Sequence, residues 1–350
     1  MIKNENTFIS YFNIIIYCVM GSNPFISVVL PCYNTEKWIL NSINSILSQT
    51  YANFELIVID DCSTDLTVQL IKEINDERIH LYVKEENSGL VNSLNFGMQK
   101  SNGSYIAIMH ADDYSMPNRL ELQVSYMESN KDVVCCGGWI ELMNNGQVVQ
   151  QPCDSDIIRL TMLDYNPVAH PSVMLRSSVI KEYGLKYNNY FAEGAEDYEF
   201  WHQLFQIGQI TNIPHVLIKY RIHENQKSEL YRKKIIYLTD QVRKMFYADL
   251  LPSIDYNPII HNFPESSQNG FSSMDFHTML NQLRHLKVLN ETKMLFKKEI
   301  FNKHIDKKIF YLIRSYYYNH FNLWEIFISL LKFPQDNYKA MKSYFKIGRL

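Results

Sequence analysis

At 350 residues, with 46% hydrophobic and 20% charged side chains, the chain can bury a full core and has the composition of a folded protein rather than a disordered one. Its net charge of −3 is unevenly spread: residues 284–350 carry fourteen Lys and Arg against five acids, a surplus of nine, leaving −12 on the first 283. An acidic body speaks against a nucleic-acid partner, while the basic tail suggests contact with something anionic.

The chain opens on an apolar stretch, Phe8 to Met20, broken by Ser10 and Asn13. It is shorter than the roughly 20 residues that a membrane-spanning helix needs. Only Lys3 precedes it as a basic residue and no A-x-A-like site follows, so it makes a poor signal peptide. Residues 1–24 are read as an extension, with Met20 as the natural start; a short hydrophobic anchor is the rival reading.

From residue 25 strands and helices alternate. Phe25–Leu30 is a short β run stopped by Pro31, and a helix is expected from about Thr35 as N-cap, with Trp38, Ile39, Ile43, Ile46 and Leu47 as its apolar stripe. Phe54–Ile59 is the second strand; Ser63 or Thr64 is expected to cap a helix running to about Ile74. Ile79–Val83 is the third strand, Asn87-Ser88-Gly89 turns into a helix with Leu90, Leu94 and Met98, and Tyr105–Met109 is the fourth strand. Such alternation predicts βαβ units and a parallel sheet, an α/β fold. After Pro117 another helix leads to a β run, Val133–Ile140, and Asn144-Asn145-Gly146 predicts an inserted hairpin. Val173–Arg176 follows His170-Pro171-Ser172, Ser177 opens a short helix closed by Gly184, a helix starts at Glu196, and Val216–Tyr220 is the last strand. Beyond about residue 226 glycine becomes rare and 3.6-residue periodicity dominates, so 226–350 is read as a basic helical region, with a long loop at 251–275. The six cysteines (Cys18, Cys32, Cys62, Cys135, Cys136, Cys153) form no C-x-x-C pair and no zinc spacing, so free thiols in a reducing compartment are expected.

Three acidic clusters stand beyond the apolar runs. In an open α/β sheet, ligands bind outside the carboxyl ends of the strands. Asp60-Asp61, beside Pro31-Cys32-Tyr33-Asn34, can accept hydrogen bonds from a base or a ribose while Tyr33 packs on the base; a capped strand-to-helix turn prefers the same residues. His110-Ala111-Asp112-Asp113 puts two carboxylates and an imidazole after a buried strand, a set for a divalent cation, with the imidazole tilting the choice toward Mn2+. Glu196-Asp197 at a helix start is either a favourable end charge or a general base. His170 and His223 read on residue type as scaffold, although His223, directly after a strand, can reach a metal or phosphate, and Arg221 can pair with a phosphate.

In order, Pro31-x-Tyr33-Asn34, Asp60-Asp61-x-Ser63-x-Asp65, Asn87-x-Gly89, Ala111-Asp112-Asp113 with Pro117-x-Arg119-Leu120, His170-Pro171-Ser172, Glu196-Asp197-Tyr198-x-x-Trp201 and Tyr220-Arg221-x-His223 resemble glycosyltransferase family 2 over residues 25–225. The resemblance implies an inverting enzyme with a GT-A fold: a Rossmann-like nucleotide-binding α/β sandwich with a mostly parallel central sheet. It implies a nucleoside-diphosphate-sugar donor, commonly UDP-linked, and a glycan or lipid-linked acceptor. It places Pro31, Tyr33, Asp60 and Asp61 around the uridine, and Asn34, Asn87, Gly89, Ala111 and Arg221 in the same donor site. It makes Asp112 the metal-binding acid of D-x-D, for Mn2+ or Mg2+, with His110 and His223 as further ligands, and Asp197 the catalytic base. His110 departs from the pattern, since the family often has Asp there. A non-catalytic nucleotide-sugar-binding protein on the same fold is the alternative; a nucleotidyltransferase lacks the Gly-rich loop it would need after the first strand. The tail lies outside the resemblance: Trp324, Phe327, Ile328 and Leu331 with Lys332 form a stripe that either meets a membrane surface, as in a cytoplasmic protein held peripherally, or packs on protein.

Overall fold

The computed structural model describes residues 23–223, 232–250 and 273–319. The apolar segment before residue 23, the expected loop at 251–272 and the Trp324 stripe lie outside the described residues. The chain divides into two compact units, Met1–Arg243 and Lys244–Leu350.

In the first unit β1 (Ile26–Cys32), β2 (Phe54–Asp60), β3 (Ile79–Val83) and β4 (Tyr105–Ile108) pair in parallel in the order β3-β2-β1-β4. Every residue of β1, β2 and β4 is buried, so apart from Ser27, Glu55 and Asp60 they read as apolar runs rather than alternations. Helices α1 (Ile39–Leu47), α2 (Thr67–Lys72) and α3 (Leu90–Lys100) make the crossovers. Ile39, Ile43 and Ile46 of α1 join Val28, Leu30, Leu56 and Val58 in the core.

Beyond β4 the sheet turns mixed. It continues through β8 (Met174–Arg176), β6 (Val133–Leu142), β9 (Gln209–Tyr220) and β5 (Tyr114–Ser115), with β7 (Val148–Val149) as the hairpin partner of β6. β8 is antiparallel to both β4 and β6, while β9 runs parallel to β6. The connecting helices are α4 (Arg119–Ser129), α5 (Ser155–Thr161), α6 (Ser177–Glu182) and α7 (Glu196–Phe205), and α8 (Arg232–Leu250) follows the last strand.

The expected caps differ from those found. Thr35 does not cap α1: its carbonyl accepts from Trp38 and Ile39, its N–H donates to Thr67 Oγ1, and Trp38 is the capping residue. Nor do Ser63 and Thr64 cap α2, which begins after Leu66; Ser63 Oγ accepts from Asn34 N and Thr64 N donates to Asn34 Oδ1. The two loops satisfy each other across the sheet end, and this tertiary pairing displaces the local caps.

Gly103 precedes β4 in a spot walled by main chain. A Cβ there would lie 2.5 Å from Ser27 N and 2.7 Å from Tyr105 O, both main-chain atoms that cannot step aside. Gly103→Ala should therefore lower the unfolding free energy by about 1–3 kcal/mol, read from urea titration.

In the second unit, α9 (Ser273–Lys293) and α10 (Lys298–Asn319) pack through Phe276, Leu280, Leu283, Phe301 and Ile305. Asn290 closes the turn between them, accepting from Phe296 N and donating to Phe296 O. Among the described residues no helix is long and apolar enough to cross a membrane, and the described cysteines are free thiols.

Candidate functional site

The carboxyl ends of β1, β2 and β4 bring the first two acidic clusters to one edge of the sheet, as the topology requires. At β1, Tyr33 is 47% exposed, and Asn34 takes a left-handed turn (φ 50°) that directs the loop toward the end of β2.

Asp60 and Asp61 are both buried, and both carboxylates are engaged by the protein. Asp60 Oδ2 accepts from Ser63 N at 2.9 Å and Oδ1 takes the Cys32 thiol at 3.7 Å. Burial and the Asp60 charge push that thiol up. Asp61 accepts from Lys84 Nζ (3.0 Å), Ser88 N (3.1 Å) and Gly89 N (2.7 Å). Burial opposes its ionisation, but Lys84 and the two amides outweigh burial and hold its carboxyl below the usual range. Gly89 has φ 87°, a conformation that glycine tolerates best, and this presents its N–H to Asp61. The pair thus braces the walls of the cleft, while Tyr33, Asn34 and Asn87 form its exposed surface.

At β4, His110, Asp112 and Asp113 converge, with one ligand atom of each within 4.8 Å of the others. Asp113 is buried. Its Oδ1 accepts from Arg221 N at 2.9 Å, and its Oδ2 has no hydrogen-bond partner among the described residues. Burial, followed by the Asp112 charge, raises its carboxyl well above the usual range. A buried carboxylate oxygen with no donor, next to a second carboxylate and an imidazole, fits a divalent cation in its donor chemistry. His223 Nε2 lies 3.0 Å from Asp112 Oδ2, and Arg221 Nε donates to Asp112 O at 2.8 Å, so the segment after β9 closes the loop that carries these acids. Ala111 is buried between these acids.

Trp38 carries more than the apolar stripe suggested. Its ring lies on His223, centroids 4.3 Å apart, and Arg221 sits over its face at 6.0 Å. Helical spacing gives no hint of such a contact, because its partner is far along the chain.

The third cluster opens α7. Asp197 Oδ2 accepts from Asn166 Nδ2 at 2.8 Å, and Oδ1 from Tyr198 N at 2.7 Å. Burial and the neighbouring Glu196 charge raise its carboxyl to about 7, against those two bonds, which favour the charged form. A carboxyl that titrates near neutrality is suited to taking a proton. Asn166 was not singled out in the sequence; nothing local marks it, since its partner is 31 positions away.

The chain matches the profile described as "Glycosyl transferase family 2" over residues 27–184. It is 37% identical over 226 residues to an uncharacterized glycosyltransferase of Haemophilus influenzae, covering 61% of this chain and 70% of that one. It is 31% identical over 206 residues to the Escherichia coli UDP-Glc:alpha-D-GlcNAc-diphosphoundecaprenol beta-1,3-glucosyltransferase WfgD, covering 58% and 79%. In fold it is similar to S. aureus TarS residues 1–349, crystallised with UDP-GlcNAc, at a TM-score of 0.56 and 19% identity over 84% of this chain and 91% of that one. It is likewise similar to the Pyrobaculum calidifontis mannosyltransferase PcManGT, crystallised with GDP-Man and Mn2+, at a TM-score of 0.51 and 15% identity over 85% and 88%.

Proposed function

The chain belongs to glycosyltransferase family 2, and from that premise we propose that it moves a sugar from a nucleoside-diphosphate donor, UDP-linked, to a hydroxyl of a glycan or lipid-linked acceptor, with inversion at the anomeric carbon. The observation that supports this reading is the convergence of half-buried Asp112, buried Asp113 and His110 beyond the end of β4, together with a separate carboxyl, Asp197, raised to about 7 by burial.

In this reading the nucleoside lies against Tyr33 and Asn34, in the cleft that Asp60, Asp61 and Gly89 brace. Asp112, Asp113 and His110, with His223 on Asp112, would hold a divalent cation, which would supply charge neutralisation to the departing diphosphate. Arg221 stands beside it through Asp112 and Asp113. Asp197 takes the proton of the acceptor hydroxyl as its oxygen bonds to the anomeric carbon. The bond from that carbon to the diphosphate oxygen breaks, and the electron pair leaves with the nucleoside diphosphate. A lipid-linked acceptor is favoured by the likeness to WfgD, whose name specifies a diphosphoundecaprenol-linked one. A donor carrying UDP is favoured by the same relative and by the TarS complex.

The test is a thermal-shift series with UDP-sugars, GDP-sugars and free UDP, with and without Mn2+, followed by transfer assays on the sugars that bind. A ligand at 100 times its dissociation constant should stabilise by about 2.7 kcal/mol. Binding of a UDP-sugar that is strengthened by Mn2+ supports the proposal. The same shift without turnover on any acceptor would favour the non-catalytic binding protein, and no shift with any nucleotide would end both readings.

A further inference from the structure

Trp38 is a large aromatic side chain kept out of the core. Ile39, Ile43 and Ile46 of α1 enter the core cluster, while Trp38, one position ahead of them, stands half-buried outside it. Its ring meets two side chains able to carry positive charge. His223 lies on it with centroids 4.3 Å apart and planes 32° from parallel, and the Arg221 guanidinium carbon is 6.0 Å from its centroid. Both residues belong to the segment after β9, and both also touch the acids beyond β4. Arg221 N donates to Asp113 Oδ1 and Arg221 Nε to Asp112 O, and His223 Nε2 lies 3.0 Å from Asp112 Oδ2.

The first turn of α1 fixes where this ring stands. Trp38 is the capping residue, with its N–H on Thr35 O and its carbonyl accepting from Ser42 N. Residues four apart share one face of a helix. Ser42, 0% exposed, donates through Oγ to His110 O at 2.9 Å. One helical face therefore reaches the loop of Asp112 and Asp113 through Ser42, and the segment after β9 through Trp38. A ring needed only for packing gains more by joining the isoleucines of α1 in the core. Stacking achieves something different: it sets the plane of a guanidinium or an imidazole through its face and uses none of its N–H donors. The hydrogen bonds to Asp112 run in the planes of these two groups, and Trp38 covers their faces.

We infer that Trp38 is a positioning residue for the diphosphate end of the donor site: it seats Arg221 and His223 beside the acids, so that its contribution falls on the terminal phosphate of a nucleoside diphosphate and not on the nucleoside. The inference rests on the donor reading proposed above. The rival role for Trp38 is support of the loop just before it, which carries Tyr33 and Asn34 and faces the nucleoside in that reading. The two roles separate by ligand, because a nucleoside monophosphate keeps the nucleoside and lacks the terminal phosphate.

The test is isothermal titration calorimetry of the full chain with UDP and with UMP, in one buffer containing Mn2+. It compares wild type with Trp38→Leu, Trp38→Phe, His223→Ala and the double variant Trp38→Leu/His223→Ala. Trp38→Leu keeps an apolar side chain at the start of α1 and removes the ring. It should weaken UDP about tenfold and leave UMP within about twofold of wild type, so that UMP binding also reports a folded site. Trp38→Phe, which still has a face to stack, should recover most of the loss. Because the ring acts in part through His223, the losses of Trp38→Leu and His223→Ala should fall short of adding in the double variant. Wild-type UDP affinity in Trp38→Leu overturns the inference. An equal loss for UDP and UMP does so too, and marks support of the Tyr33 loop or packing; losses that add in full also overturn it. A wild-type chain that binds neither nucleotide overturns the donor reading itself, and is told apart at the first titration.

Discussion

Asp197→Asn should lower the rate of sugar transfer by roughly 10²–10⁴-fold while leaving nucleotide binding unchanged. The amide keeps one acceptor oxygen, for Tyr198 N, and turns an NH2 toward Asn166 Nδ2, so the variant loses one of the two bonds together with the ability to take a proton. With the wild-type carboxyl raised to about 7 by burial and by Glu196, kcat/KM should fall on the acid side of about pH 7, by about tenfold per unit well below it. Asn166→Ala removes a bond that favours the charged form and should move that limb to higher pH; Glu196→Gln removes the like charge and should move it lower. Stability carries the opposite sign. The folded carboxyl binds its proton more tightly than an unfolded Asp, so the contribution of Asp197 to stability is present at low pH and is lost as pH rises toward about 7. The Asn variant should therefore gain in Tm relative to wild type more at pH 8 than at pH 5. A variant that keeps full transfer activity would remove Asp197 from the chemistry, whatever its Tm.

Arg119→Met should lower the unfolding free energy by about 3–5 kcal/mol, measured by urea titration at neutral pH. The guanidinium is 0% exposed. It donates to Ile108 O (2.8 Å), Val173 O (3.2 Å) and Gln123 Oε1 (3.0 Å), and Gln123 in turn donates to Cys136 O (2.6 Å) and Ser172 O (2.9 Å). These two side chains join β4, β6 and the turn that carries His170, beneath the loop of Asp112 and Asp113. Burial lowers the Arg119 pKa to about 9, with Asp113 acting the other way, so the group is still a cation at neutral pH. Methionine fills similar volume but takes the guanidinium from Ile108 O and Gln123 Oε1, leaves Val173 O with only the Ile108 N–H, and removes one of the two positive charges, with Arg221, that favour ionised Asp113. Arg119→Lys keeps the charge and cannot span the same acceptors, so its loss should fall between the two. A change under about 1 kcal/mol in Arg119→Met would show that the carbonyls find other donors.

The parallel half of the fold was legible because β1, β2 and β4 are buried throughout, so Phe54–Ile59 stands out between turns, and because the partly exposed edge strand Ile79–Val83 still carries β-forming residues. β9 was half hidden. Its first residues are polar and contain Pro214, which argues against a strand, yet it starts at Gln209. The register explains this: Ile213 pairs with Gly138 and Val216 with Trp139, so Pro214 and His215 fall in a bulge where no ladder hydrogen bond is needed. Of the site, the acids and His110 could be singled out because they follow strands directly. What they touch could not be. Lys84 on Asp61, Asn166 on Asp197 and Trp38 on His223 are contacts between distant segments, and composition or spacing around each residue carries no trace of the partner.

The contacts of Arg221 and His223 with Asp113 and Asp112 also bear on how the chain folds. Asp113 and Arg221 are separated by 108 positions, and Asp112 and His223 by 111. The βα units before residue 109 are built from near neighbours and can form early, whereas pairings this distant in sequence form late and slowly. On a ribosome, therefore, the parallel half can be in place long before residue 223 emerges, and the contacts that fix Asp112 and Asp113 form only in the last steps of folding the first unit.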